Sequence, residues 1–210
     1  LGYPDTTHVT MDEMLHHTRA VARGTKQALL VADLPIHSYE SPAQAVESAK
    51  KLVDAGAQAV KLEGGVDMAG QIAAIVAAGI PVMGHIGLLP QSVEKDGGYK
   101  IKGRTDETVA ALIADARAVE EAGAFSVVIE GTVEAVAADI TRSIAIPTIG
   151  IGASGDCDGQ ILVIDDMVGL TVDRVPKFVK EYADLRRVIA NAAERYAAEV
   201  RDRTFPGRAH

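Results

Sequence analysis

Apolar residues arrive along this chain in short runs separated by longer stretches of helical periodicity. Four of the runs close on a chemically loaded residue: ALLVAD on Asp33, AQAVKLE on Glu63, IPVMGH on His85 and AFSVVIE on Glu130. The runs at 27–33, 58–63, 80–86, 125–130 and 146–152 have the length and Val/Ile content of strands, and ILVID at 161–165 is a weaker sixth. Helical spacing predicts helices at about 11–23, 42–55, 66–78, 105–121 and 133–143, and a covering helical part at 176–201. Boundary residues agree with this: Thr10 and Glu13 have capping-box spacing, Ser41-Pro42 opens a helix, and Ala55-Gly56-Ala57 and Ala122-Gly123-Ala124 each stop a helix before a strand.

Strands alternating with helices over short loops imply an α/β fold with a parallel sheet. In a barrel of such units the C-terminal strand ends share one rim, so Asp33, Glu63, His85 and Glu130 would converge from four distant segments. Six strand candidates stand where a barrel needs eight, which predicts either an open sheet or a barrel short of two strand-helix units. A dinucleotide fold is disfavoured: GIGASG follows a strand without matching the glycine fingerprint, and no acidic residue follows at the required distance.

Composition narrows the class. The 210 residues, 48% hydrophobic, suffice for one domain but fall short of the roughly 250 typical of a complete eight-stranded barrel. A net charge of -8 with no Lys/Arg run speaks against nucleic acid. No apolar stretch approaches membrane-spanning length, and the single cysteine, Cys157, has no partner for an internal disulfide; a cytoplasmic protein is expected. Leu1 in place of an initiator Met predicts a fragment or processed form.

Lys61 and Glu63, two apart on a strand, face the same side, where burial is costly unless they pair or bind something. A structural ion pair and a functional site are both consistent with that. Asp33 and Glu130 shift the balance, because carboxylates gathered at one rim suit a hard divalent cation such as Mg²⁺, with water and substrate oxygens completing its shell. Asp33 has a second reading, as a cap on the turn with Leu34-Pro35. A histidine in the position of His85 is commonly structural, and its place beside the other strand ends argues for the site. His16 and His17 are adjacent in a helix, diverge, and read as surface. Ser154, Cys157 and Asp158 lie in a polar loop, a lid or merely a turn; Cys157 has no neighbouring histidine to activate it.

The segments VADLP around Asp33, VKLEGG at 60–65, GHIGLLPQS at 84–92, GGYKIKGR at 97–104, VVIE at 127–130 and IPTIGIGASGDCDGQILVIDD at 146–166 resemble, in order, the ketopantoate hydroxymethyltransferase family. The resemblance implies a (β/α)₈ TIM-type barrel assembling as a decamer, with Mg²⁺ and 5,10-methylenetetrahydrofolate as co-substrate. It implies that Asp33 and Glu63 are metal-site carboxylates, that Asp33, Lys61 and His85 meet the 2-oxo acid substrate, 3-methyl-2-oxobutanoate, and that Glu130 is the general base. An enolate formed by Glu130 would attack the one-carbon unit. The departure lies at the start: two family strands, the second carrying a Gly-Asp-Ser with a further metal ligand, have no counterpart here, so the barrel is expected to lack its first two units and to bind Mg²⁺ and substrate poorly.

Three alternatives keep the same rim: a Mg-dependent 2-oxo acid lyase or mutase, a Schiff-base aldolase using Lys61, and a non-catalytic subunit. In the Gly- and Lys-rich segment 91–104, Lys95, Lys100, Lys102 and Arg104 are candidates for the folate tail, against a plain reading as solvated charge.

Overall fold

A computed structural model describes residues 1–93, 97–172 and 175–207. They fall into two compact units, Leu1–Gln160 and Ile161–His210.

The first unit alternates helix and strand. Helix α1 (Met11–Gly24) is followed by β1 (Val31–Asp33), α2 (Pro42–Asp54), β2 (Ala59–Glu63), α3 (Ala69–Ala77), β3 (Val82–Gly87), α4 (Asp106–Glu121), β4 (Ser126–Glu130), α5 (Glu134–Ser143), β5 (Thr148–Ile151) and β6 (Gly159–Gln160). All pairs are parallel and the strands lie in consecutive order, the layout of a half-barrel. Parallel neighbours require a crossover, and α2 to α5 supply one between successive strands from β1 to β5. Among the described residues β1 and β6 do not pair, so closure into eight strands is not seen.

Strand periodicity divides the sheet into two faces. Val60, Leu62, Val82, Ile86, Val127 and Ile129 are fully buried on the face that packs with Leu52, Ile72, Ile75, Val119 and Ile140 of the helices. Gly84 lets α4 come close to this face: a Cβ there would stand 2.4 Å from Val119 Cγ1. The alternate residues, Lys61, Glu63, His85 and Glu130 among them, lie on the other face, which in a barrel is the interior.

Several boundaries differ from the sequence expectation. The first strand is only Val31–Asp33, because the Gln58 side chain takes the Leu30 N–H at 3.0 Å. The helix expected at 66–78 begins as a 3₁₀ turn, Val66–Met68. The expected strand at 161–165 is a correction: the sixth strand is Gly159–Gln160, and Ile164–Met167 is a short helix, α6. Asp165 and Asp166 in its first turn favour a helix start, where backbone N–H groups are unpaired. The second unit's long helix, α7, spans Leu185–Arg201 rather than starting near 176, since Asp184 caps it by accepting from Arg187 N–H. Among the described residues no helix is long and apolar enough to cross a membrane.

Candidate active site

Strand register places the loaded residues on neighbouring rungs: Asp33 opposite Lys61, Glu63 opposite His85, and Gly87 opposite Glu130. The end of β3 is pinned to β4 by a close backbone approach and a hydrogen bond. Gly87 has φ +94° and a Cβ there would meet Glu130 O at 2.2 Å, while Leu88 N–H donates to that same carbonyl at 2.8 Å. Gly64 N–H donates to His85 O at 2.9 Å and fixes the β2 end in the same way.

The side chains then form one chain of charge. Lys61 Nζ lies 3.0 Å from Asp33 Oδ2 and 3.4 Å from His85 Nδ1. His85 Nδ1 is 3.9 Å from Glu63 Oε1, and its Nε2 is 3.2 Å from Glu130 Oε2. An ammonium only donates, so the contact with Lys61 assigns a lone pair to Nδ1 and the proton to Nε2, facing Glu130. His85 is 2% exposed, yet among the described residues Nε2 has no hydrogen-bond partner, the 3.2 Å approach to Glu130 being off line. A buried ring N–H left in this state is matched when a further polar atom enters the site.

Burial pushes the Glu63 carboxyl above the ordinary range; His85, the Gln91 N–H at 3.0 Å from Oε2, and Lys61 oppose that, and the Asp33 charge adds to it. Asp33 and Glu63 are thus two carboxylates close enough to feel each other, with Lys61 supplying the positive charge beside Asp33. No group of three or more His, Cys, Asp or Glu able to hold a metal ion occurs among the described residues. Two hard oxygen donors nevertheless fit a Mg²⁺ that keeps most of its shell as water and substrate.

Sequence reasoning brought together Asp33, Lys61, Glu63, His85 and Glu130, and the structure does so too. It did not anticipate Tyr39 and Gln91. Tyr39 OH donates to Gln91 Oε1 at 2.5 Å, and Gln91 Nε2 donates to Leu34 O at 3.0 Å. Gln91 falls within the GHIGLLPQS segment, where no role was assigned to it, and Tyr39 lies in the loop that follows a loaded strand. His16 and His17 are exposed, as expected. Cys157 belongs to the hydrophobic core, and Asp158 accepts from Thr148 N–H and Oγ1–H at 2.8 and 3.1 Å, which makes the 153–158 loop a built turn. In the 91–104 segment Lys95 lies outside the described residues, Arg104 is exposed, and the Lys102 backbone is bonded to Gly131 and Val133, beside Glu130.

A family model described as ketopantoate hydroxymethyltransferase matches residues 1–208. The chain is 81% identical to a 3-methyl-2-oxobutanoate hydroxymethyltransferase of Mesorhizobium japonicum, over 100% of this chain and 74% of that protein. It is 54% identical to one of Rhodospirillum rubrum, covering 100% of this chain and 76% of the relative. Similar solved structures include a phosphonopyruvate hydrolase, with TM-score 0.56 at 17% identity over 98% of this chain and 72% of that one. A 2,3-dimethylmalate lyase of the PEP mutase/isocitrate lyase superfamily gives TM-score 0.55 at 18% identity, with the same two coverages of 98% and 72%. At such identities the likeness speaks for the fold alone.

Proposed function

Because the chain belongs to the ketopantoate hydroxymethyltransferase family, we propose that it transfers a hydroxymethyl group to 3-methyl-2-oxobutanoate, giving ketopantoate. The one-carbon donor is 5,10-methylenetetrahydrofolate, which with water leaves as tetrahydrofolate. The observation that carries this reading is the continuous cluster from Asp33 through Lys61 and His85 to Glu130, with Glu63 beside it.

Asp33 and Glu63 would hold Mg²⁺, which when bound polarises the carbonyl of a 2-oxo acid and acidifies the adjacent C–H. Glu130, partly open to solvent at the end of β4, takes the C3 proton. His85 then has a partner for its buried Nε2–H in an oxygen of the substrate, while the abstracted proton rests on the Glu130 carboxyl. Lys61 offsets the negative charge of the carboxylate and of the enolate that forms. An amine nucleophile at Lys61 is disfavoured, because its ammonium is ion-paired with Asp33 and an ammonium cannot attack a carbonyl.

The six parallel strands support a (β/α)₈ barrel as the complete architecture, and the family resemblance supports a homodecamer in the cytoplasm. The activity is tested by following ketopantoate from the three reactants with Mg²⁺. Glu130→Gln should lower kcat by about 10²–10⁴-fold, the usual worth of a positioned base, with the circular dichroism spectrum unchanged. No turnover in the folded chain would overturn the activity for this chain; full turnover in the variant would overturn the role of Glu130.

A further inference from the structure

The Glu63 carboxylate is held from outside the strands. Its Oε2 accepts the backbone N–H of Gln91, which follows Pro90 in the short 3₁₀ turn Pro90–Ser92. A backbone N–H points where its residue's dihedrals send it, and both ends of the Gln91 side chain are tied down: Oε1 by Tyr39 OH at 2.5 Å, Nε2 by Leu34 O at 3.0 Å. Tyr39 is itself buried, and its carbonyl accepts from the Nε2 of the buried Gln71 on α3 at 3.3 Å. Burial, with the charges of Glu63 and Asp33, pushes the Tyr39 hydroxyl well above the usual phenol range, so it stays protonated and remains a donor. The loops after β1 and β3 are thereby tied to one carboxylate at the end of β2.

We propose that Gln91 and Tyr39 are positioning residues that fix the orientation of the Glu63 carboxylate for divalent-metal binding. This rests on the reading of Glu63 as a metal-site carboxylate. Neither residue touches substrate or metal in this role; they act through the Gln91 N–H. Groups that orient a metal ligand commonly cost 10–100-fold in metal affinity when removed.

The test uses Mn²⁺ as the probe, titrated calorimetrically into the full chain in the presence of 3-methyl-2-oxobutanoate. Gln91→Ala should weaken Mn²⁺ binding by about 10-fold or more, and Tyr39→Phe, which removes one hydroxyl at nearly constant volume, should weaken it in the same direction. Glu63→Gln should weaken it at least as much, and adding Gln91→Ala to that variant should cause no further loss, because both act through one carboxylate. If Glu63→Gln weakens binding while Gln91→Ala and Tyr39→Phe bind like the parent, the positioning role falls and the ligand survives. Wild-type affinity in Glu63→Gln sinks the ligand assignment and the positioning role with it. Full additivity of Gln91→Ala on Glu63→Gln overturns the proposal too, since it places Gln91's effect elsewhere. Should Gln91→Ala fail to fold, Tyr39→Phe alone and combined with Glu63→Gln decides by the same outcomes.

Discussion

Single positions in this chain are set by which face of a strand they occupy. Gly84 is on the helix-facing side of β3, and its missing side chain is where Val119 sits; an alanine Cβ would lie 2.4 Å from Val119 Cγ1 and 3.2 Å from Cγ2. Val119 is fully buried among core residues, so making room for the new Cβ requires it or α4 to shift. Gly84→Ala should therefore destabilise the chain by about 1–3 kcal/mol, the range for overpacking a filled core, lowering Tm by several degrees in a thermal melt. An unchanged Tm would mean that α4 can shift away freely. The same alternation explains why Asp33, Lys61, Glu63, His85 and Glu130 were legible: each ends or lines an apolar run, and period two puts it on the face away from the helices. Tyr39 and Gln91 were not legible because their role is made by hydrogen bonds across 52 and 57 residues, between loops whose conformation no local pattern specifies.

Among the elements, those with strong end signals matched their expected spans, and α1 is the best example. Thr10 Oγ1 accepts from Glu13 N–H at 3.3 Å, while Glu13 Oε2 accepts from Thr10 N–H at 2.8 Å, completing the capping box; Tyr3 OH adds a bond to Oε1 at 2.6 Å. The Tyr3 hydroxyl first, then the Thr10 N–H and the Thr10 hydroxyl, push the Glu13 carboxyl down to about 2 from its ordinary 4.5. A carboxyl whose folded pKa is depressed contributes stability that is present above the unfolded pKa and lost as pH falls towards the folded one. The Tm difference between the parent and Glu13→Gln should thus be widest near pH 6 and should narrow as pH is lowered from 4.5 to 3. A difference that stays constant over that range would show that the capping carboxylate's charge is immaterial. Elements with weak end signals depart from the expected spans. Apolar ILVID looked like a strand, but the paired aspartates at its end serve an N-terminal helical turn, and Thr171 Oγ1–H closes onto Asp166 at 2.6 Å. The start of β1 was overextended because a side chain, Gln58, takes a backbone donor that the ladder would otherwise use.

At the scale of the whole molecule, the order of strands was readable because a parallel sheet with helical crossovers leaves few topologies open. What periodicity does not specify is which apolar faces are covered by another chain. Helix α7 has none of its residues buried, although Leu185, Val188, Ile189, Tyr196 and Val200 recur at spacings of three, four and seven residues and are all exposed. Side chains at that spacing share one face, and a contiguous exposed apolar face of this kind marks an interaction surface. The proposed homo-oligomer would place a second copy of this chain on that face. Light scattering coupled to size exclusion should then give a mass that is a multiple of 22.0 kDa at micromolar concentration. Val188→Glu combined with Ile189→Glu should shift the population towards smaller species, since a charge buried at such an interface has no partner. A parent chain eluting as a 22.0 kDa monomer would count against self-association. An oligomer indifferent to the double substitution would instead place the contact on another surface and leave α7's apolar face to a different partner.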